Sequence, residues 1–324
     1  MQLFVCKVAL LILLVISCIG LISVFDYMVV GSQYRNSYNA SLSDKLDRLN
    51  TIYEPKIILV GNSNIAFGID SELIETSLGM PVVNLGLHGS LGNAFHEEIA
   101  KQNINKGDIV VVCHSDFSDL DNIPDPELAL ITYDYQSNIF PVFRKKDYID
   151  LIKAYPTYLR KSYKLWLTDK GNIKLSNSYS RDAFNKYGDV VFKPKEWRFK
   201  EDYFIKNTVA LPKINYTCIN RLNELCEYCL SQGAFLVIAG YPIARGKYNK
   251  YSEEEYVKFQ NELIDVLNCP VISDYKNYFY PYDYFYDYLL HLNEKGRQAR
   301  TRQLISDLNN WIRRTDHSRF RSHF

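Results

Sequence analysis

Ser63, Asp287 and His291 are the residues whose types could together open an ester. Ser63 lies in residues 56–70, which read KIILVGNSNIAFGID. It follows an unbroken apolar run, Ile57-Ile58-Leu59-Val60, and the turn residue Gly61. A strand that breaks into a tight turn and then a helix lifts a serine hydroxyl above the sheet edge. Backbone N–H groups there can face a developing oxyanion. Such a hydroxyl needs a base, and the base needs an orienting group. Of the six histidines, His291 stands in Asp287-Tyr288-Leu289-Leu290-His291, where Asp287 can reach the imidazole along one loop. The same residues also fit an ordinary strand–loop–helix connection, with Asp287 and His291 as helix caps.

Metal chemistry is the competing use of the other histidines. His88, His96 and His114 follow strand ends near Ser63, but their spacing fits no tight ligand motif, and His317 and His323 fall in the C-terminal tail. No metal or cofactor is therefore expected. The seven cysteines form no dense framework. Cys226 and Cys229 make one CxxC inside a predicted helix, where buried thiols are favoured over a metal or redox pair. A disulfide there would require an extracytoplasmic domain.

The positioning elements follow from hydrophobic patterning. Strands are predicted at 57–60, 81–84, 108–113, 234–239 and 271–273. Helices are predicted at Ser71–Leu78 behind the N-cap Asp70, at 91–103, and at 217–232 with Gly233 as C′. Two more are predicted at 252–267, opened by the capping box of Ser252 and Glu255, and at 293–312 behind Asn293. This alternation predicts a three-layer α/β/α sandwich on a mainly parallel sheet of about five strands. The loop after the last strand then lies at the same carboxyl edge as Ser63, which brings His291 to it. Residues 114–211 break the rhythm, with many aromatics and short helical pieces around 146–168. They read as a mostly helical insertion covering the site, or as a solvated excursion.

At 324 residues the chain can bury one large core with room for that insertion, and its net charge of +1 argues against a dedicated nucleic-acid binder. Its 26 tyrosines, 17 phenylalanines and 3 tryptophans suit a core, sugar stacking or a membrane-facing surface. Residues 8–25 carry no charge between Lys7 and Asp26, and at about 1.5 Å per residue they nearly span a bilayer core. The stretch is longer than a usual signal-peptide core and lacks a small-x-small cleavage site, so residues 1–30 read as an uncleaved anchor. Lys7 on one side and Arg35, Lys45 and Arg48 on the other leave the orientation open by charge. Residues 31–54 read as a polar stalk with one short helix, 55–313 as the main domain, and 314–324 as a basic tail.

These motifs resemble the SGNH/GDSL hydrolase superfamily, specifically its membrane-anchored branch that modifies cell-envelope polysaccharides. Gly61-Asn62-Ser63 is similar to the first block, G-D-S, with Asn62 in place of aspartate. Asn84–Gly89 is similar to the second block, whose final glycine gives an oxyanion-hole N–H; this falls on Gly89, with Gly86 as the alternative. Asp287–His291 is similar to the last block, one residue longer than the usual D-x-x-H. The third block usually supplies an asparagine, but Cys113-His114-Ser115-Asp116-Phe117-Ser118 holds none, leaving Ser115 as a weak substitute. The likeness covers about residues 56–112 and 234–312 and excludes the insertion. The D-alanyl-transfer proteins of teichoic acid synthesis are a weaker match.

The resemblance implies a flavodoxin-like sandwich and acyl chemistry at Ser63, with His291 as base and Asp287 as orienting group. The Ser63 and Gly89 N–H groups would bind the oxyanion. The expected reaction is O-acetyl transfer onto an envelope polysaccharide. A carbohydrate esterase is the alternative, and a non-catalytic glycan-binding or scaffold protein the second. The chain would be a single-pass membrane protein with its domain outside the cytoplasm, served by a membrane acyltransferase supplying acyl groups. Tyr133, Tyr135, Tyr155, Tyr158, Trp166 and Trp197 are candidate stacking faces for the sugar.

Overall fold

The apolar run at 57–60 forms β1 (Ile57–Val60), in which every residue is buried. On both sides it pairs in parallel, with β2 (Val82–Asn84) and β3 (Ile109–Val112); β3 pairs with β4 (Phe235–Ile238), giving the order β2-β1-β3-β4. A strand alternates its side chains between faces, so a sheet buried on both faces has two sets of partners. Ile58, Val60, Val110 and Val112 pack with Phe95 and Ile99 of α5 (Asn93–Ala100) and with Leu222 and Leu225 of α8 (Tyr216–Ser231). Ile57, Leu59, Ile109 and Val111 pack instead with Ile74 of α4 (Ser71–Leu78) and with Leu304 and Leu308 of α10 (Glu294–Arg314). This computed structural model describes residues 2–119, 122–135, 142–168, 178–191 and 211–315.

The helix caps follow the sequence pattern. Asp70 accepts the Leu73 N–H, Asn293 accepts the Gly296 N–H, and Ser252 and Glu255 form a capping box opening α9 (Glu253–Val266). The fifth predicted strand is reduced to one parallel bridge from Val271 to Ile238. Pro270 has no N–H to extend it, and Ser273 turns inward to bond Asp307 at 2.6 Å. A separate parallel pair joins β5 (Ile243–Ala244) to β6 (Phe279–Tyr280), an element without a period-two signal in the sequence.

Two other expectations need correction. The segment read as a stalk holds the expected short helix, α2 (Leu42–Thr51), but that helix belongs to the domain: Leu42, Leu46 and Leu49 enter the main core. Its polar look misleads because Lys45 is buried, donating to the carbonyls of Asn84 at 2.9 Å and Gly188 at 2.6 Å. In the insertion, the short helical pieces are one 22-residue helix, α7 (Asp147–Thr168), packed on α6 (Pro126–Tyr135). Residues 178–191 return to the core, where buried Asp189 accepts from Ser71 and Asn84. Residues 316–324 of the tail and Trp197 lie outside the described residues. At the other end, α1 (Gln2–Phe25) continues through a π-helical turn to Val30. The segment Leu3–Val30 contains an 18-residue window with a mean hydropathy of 3.0 and is long and apolar enough to cross a membrane.

Candidate active site

β1 ends at Val60, and the chain turns through Gly61 into α3 (Ser63–Gly68), a short helix with Ser63 at its first position. The turn is set by Asn62, whose Oδ1 accepts the Asn64 N–H at 2.9 Å as an N-cap. Asn64 is pinned in turn. Its side chain donates to the Cys113 carbonyl at 3.0 Å, and fully buried Arg300 of α10 donates to its carbonyl at 2.7 Å and its Oδ1 at 2.9 Å. Gly68 makes that approach feasible, since a Cβ there would stand 2.6 Å from Arg300 Nη1.

The sheet order explains why the site forms here. From β1 the chain moves outward to β2, then crosses back to β3 on the other side of β1, so adjacent crossovers diverge above β1 and β3. A crevice opens at the carboxyl ends of strands at such a switch point. Asn62, after β1, donates there from Nδ2 to Ser115 Oγ, after β3, at 3.2 Å.

Ser63 and His291, 228 positions apart, meet in this crevice: Ser63 Oγ lies 2.8 Å from His291 Nε2. His291 Nδ1 lies 2.7 Å from Asp287 Oδ1. A carboxylate can only accept, so Nδ1 carries the proton and Nε2 is the acceptor for the serine hydroxyl. Phe67 stacks on the imidazole at 4.1 Å with an interplanar angle of 10°. Phe67 is one helical turn beyond Ser63, so α3 carries both the hydroxyl and the ring stacked on the imidazole. Burial works against ionisation of Asp287. Its bonds with His291 and the nearby imidazole charge outweigh this, joined by the Tyr179 hydroxyl, and hold the carboxyl below its ordinary value.

The crevice is a cavity of about 620 Å³ lined by Ser63, His291 and Asp287 together with Asn62, Gly89, Asn93 and Asp116. Ser63 opens its helix and Gly89 opens a 3-10 turn, so neither amide has an acceptor within its own element. Gly86 is placed differently. Its N–H donates to Asn84 Oδ1 at 2.9 Å, and a Cβ would come within 2.7 Å of Ala66 N, so this glycine serves close packing under the turn. Ser115 does not line the cavity; it steadies the Asn62 amide, which does.

The other histidines separate. His88 lines the cavity and accepts the Ser90 N–H on Nδ1. His114 is buried against Glu97, which also pairs with Arg221. His96 is fully buried, and burial pushes its pKa down to about 3. Among the described residues no group of three or more His, Cys, Asp or Glu is arranged to hold a metal.

Tyr179 is the residue that sequence reasoning misses. It reaches the site from the returning segment of the insertion, bonds Asp287 and lies 3.3 Å from His291 Nδ1. In the sequence it is one tyrosine among many in an aperiodic stretch. Among the aromatics predicted as sugar platforms, Tyr133, Tyr155 and Tyr158 line a different cavity, and Tyr155 and Trp166 of α7 contact the end of α1. Tyr38, Tyr179 and Tyr288 line the cavity instead. No model of a known family, no curated protein and no solved structure matches this chain.

Proposed function

We propose that this protein is a membrane-anchored SGNH-type enzyme, an α/β/α sandwich performing serine-dependent acyl-ester chemistry on a cell-envelope polysaccharide, with O-acetyl transfer as the reaction. The observation that carries the reading is the 2.8 Å contact between Ser63 Oγ and His291 Nε2, backed by Asp287. A scaffold has no need of a hydroxyl, an imidazole and a carboxylate in that order.

Ser63 Oγ attacks the carbonyl carbon of the donor ester while His291 Nε2 takes the hydroxyl proton. The Ser63 and Gly89 amides bind the oxyanion, and the Asn62 amide stands in for the asparagine absent from the third block. As the tetrahedral intermediate collapses, His291 returns the proton to the departing alcohol and an acyl-serine remains. A sugar hydroxyl, deprotonated by His291, then attacks the acyl carbon. The second tetrahedral intermediate collapses, the bond from the acyl carbon to Ser63 Oγ breaks, His291 returns the proton to Oγ, and the sugar leaves as the new ester. Asn62, Asn93, Asp116 and His88 offer the polar contacts a hydroxyl-rich acceptor needs, and the face of Tyr288 offers stacking. α1 would span the bilayer and hold the domain outside the cytoplasm, beside acyl donors supplied by a membrane acyltransferase.

Carbohydrate esterase activity is the second reading, favoured by the cavity of about 620 Å³ beside Ser63, which has room for a water in the acceptor's place. The two are separated by giving the purified protein an activated acetyl ester, with and without envelope oligosaccharides, and following products by mass. Acetylated oligosaccharide supports transfer. Free acetate alone, undiminished by any oligosaccharide, would leave the esterase.

A further inference from the structure

A second cavity lies away from the crevice, where α1 leaves its apolar segment. Ser23 Oγ is 3.1 Å from Tyr155 Oη of α7, and the Phe25 ring is 6.1 Å from Tyr163 and 6.3 Å from Trp166. Ser23 and Phe25 belong to the apolar segment Leu3–Val30, so α7 runs at the level of its last turns.

The surface of α7 suits that level. Leu151 and Tyr158 face inward. Beside them runs a stripe at helical spacing, Ile149, Ile152, Pro156, Tyr163 and Leu167. Of these, Ile149, Ile152 and Leu167 are 62%, 70% and 73% exposed. Lys153, Arg160 and Lys164 border the stripe on its outer side. Exposed aliphatics flanked by aromatic and basic side chains describe a helix lying in a membrane interface. A groove of about 620 Å³ opens between α6, α7 and the end of α1. Leu130, Phe143, Tyr148 and Ile152 form its apolar walls, and Ser23, Asp26, Ser32 and Asp134 make the rest of the lining polar.

We propose that this groove seats one acyl chain of an anionic phospholipid from the leaflet in which α1 ends. The groove opens beside the last turns of the anchor, at Ser23 and Asp26, which places its mouth near the level where lipid chains meet their headgroups. The basic border of α7 lies where the headgroup of the same lipid would be. This rests on the reading that α1 spans a bilayer, and it adds a bound lipid to that reading.

The test uses the full chain in nanodiscs containing phosphatidylglycerol with a diazirine midway along one acyl chain. After irradiation, labelled peptides are mapped by mass spectrometry. Label on α1 and on groove residues of α6 and α7 is expected. Ile152→Trp, a change at an exposed position that fills the mouth, should cut the groove label several-fold and leave the α1 label unchanged. Label on α1 without label in the groove would overturn the proposal and leave the anchor standing. So would groove label insensitive to Ile152→Trp, which marks casual bilayer contact. Absence of label on α1 would remove the anchor reading itself, and the proposal with it.

Discussion

Tyr179 and His291 hold the same carboxylate from two directions: the Tyr179 hydroxyl donates to Asp287 Oδ2, while His291 Nδ1 donates to Oδ1 at 2.7 Å. The imidazole orientation therefore depends on a side chain from the insertion. Tyr179→Phe should lower kcat about tenfold, the scale of one hydrogen bond to a charged group. It also removes one of the influences that hold the Asp287 carboxyl low, so that pKa rises toward its ordinary value. The Asp287 carboxyl should then titrate at higher pH. Side-chain carboxyl NMR checks this, and an unmoved titration would make Tyr179 a packing residue only.

Asp287 also ties stability to pH. Its native pKa lies below that of the unfolded chain, so its contribution is complete above the unfolded value of about 3.9 and is lost as pH falls through the native one. Asp287→Asn should flatten that part of the stability curve, measured by urea melts between acid and neutral pH. Turnover should fall by roughly 10⁴-fold, because the amide no longer selects the imidazole tautomer.

Ser63→Ala should remove acyl-ester turnover, a loss of at least about 10³-fold, with the melting temperature nearly unchanged. The hydroxyl bonds only His291 among the described contacts, so the fold keeps its other supports. Activity above background in that variant would reassign the nucleophile.

Asn62 combines a cap and an amide donor, and two substitutions separate them. Asn62→Asp keeps an oxygen for the Asn64 N–H but has no Nδ2 group, so it should fold normally and lose about 10²-fold in kcat. Asn62→Ala should lose the same rate and, in addition, about 1 kcal/mol of stability. Full activity of Asn62→Asp would exclude the amide from the oxyanion hole.

The two glycines of the second block should respond differently. A Cβ on Gly89 would meet Asn62 Cβ at an ordinary 3.5 Å, whereas one on Gly86 would stand 2.7 Å from Ala66 N. Gly86→Ala should therefore cost about 1–3 kcal/mol, and Gly89→Ala much less. Equal costs by urea denaturation would contradict the packing described.

The site was legible in the sequence where chemistry and local signals coincide. The run ending at Val60, the turn at Gly61 and the cap at Asn293 are short-range patterns, and they place Ser63 and His291 at one sheet edge. The contributions of Tyr179, Arg300 and Lys45 were not legible. Each acts through partners more than 30 positions away, and nothing local distinguishes a buried, satisfied Lys45 from a solvated one. The fifth strand failed for a similar reason: Val271 and Ile272 look like a strand, but Pro270 and the inward turn of Ser273 truncate it.

Arg300 reaches from α10 to Asn64, and His291 reaches Ser63 across 228 positions, so both long-range closures involve residues made late in synthesis. Contacts of such separation carry a high loop-closure cost and form slowly. A chain emerging amino end first would display Ser63 long before its base exists. On the proposed function, Ser63 would have no base until that closure forms, and turnover would report that α10 has docked.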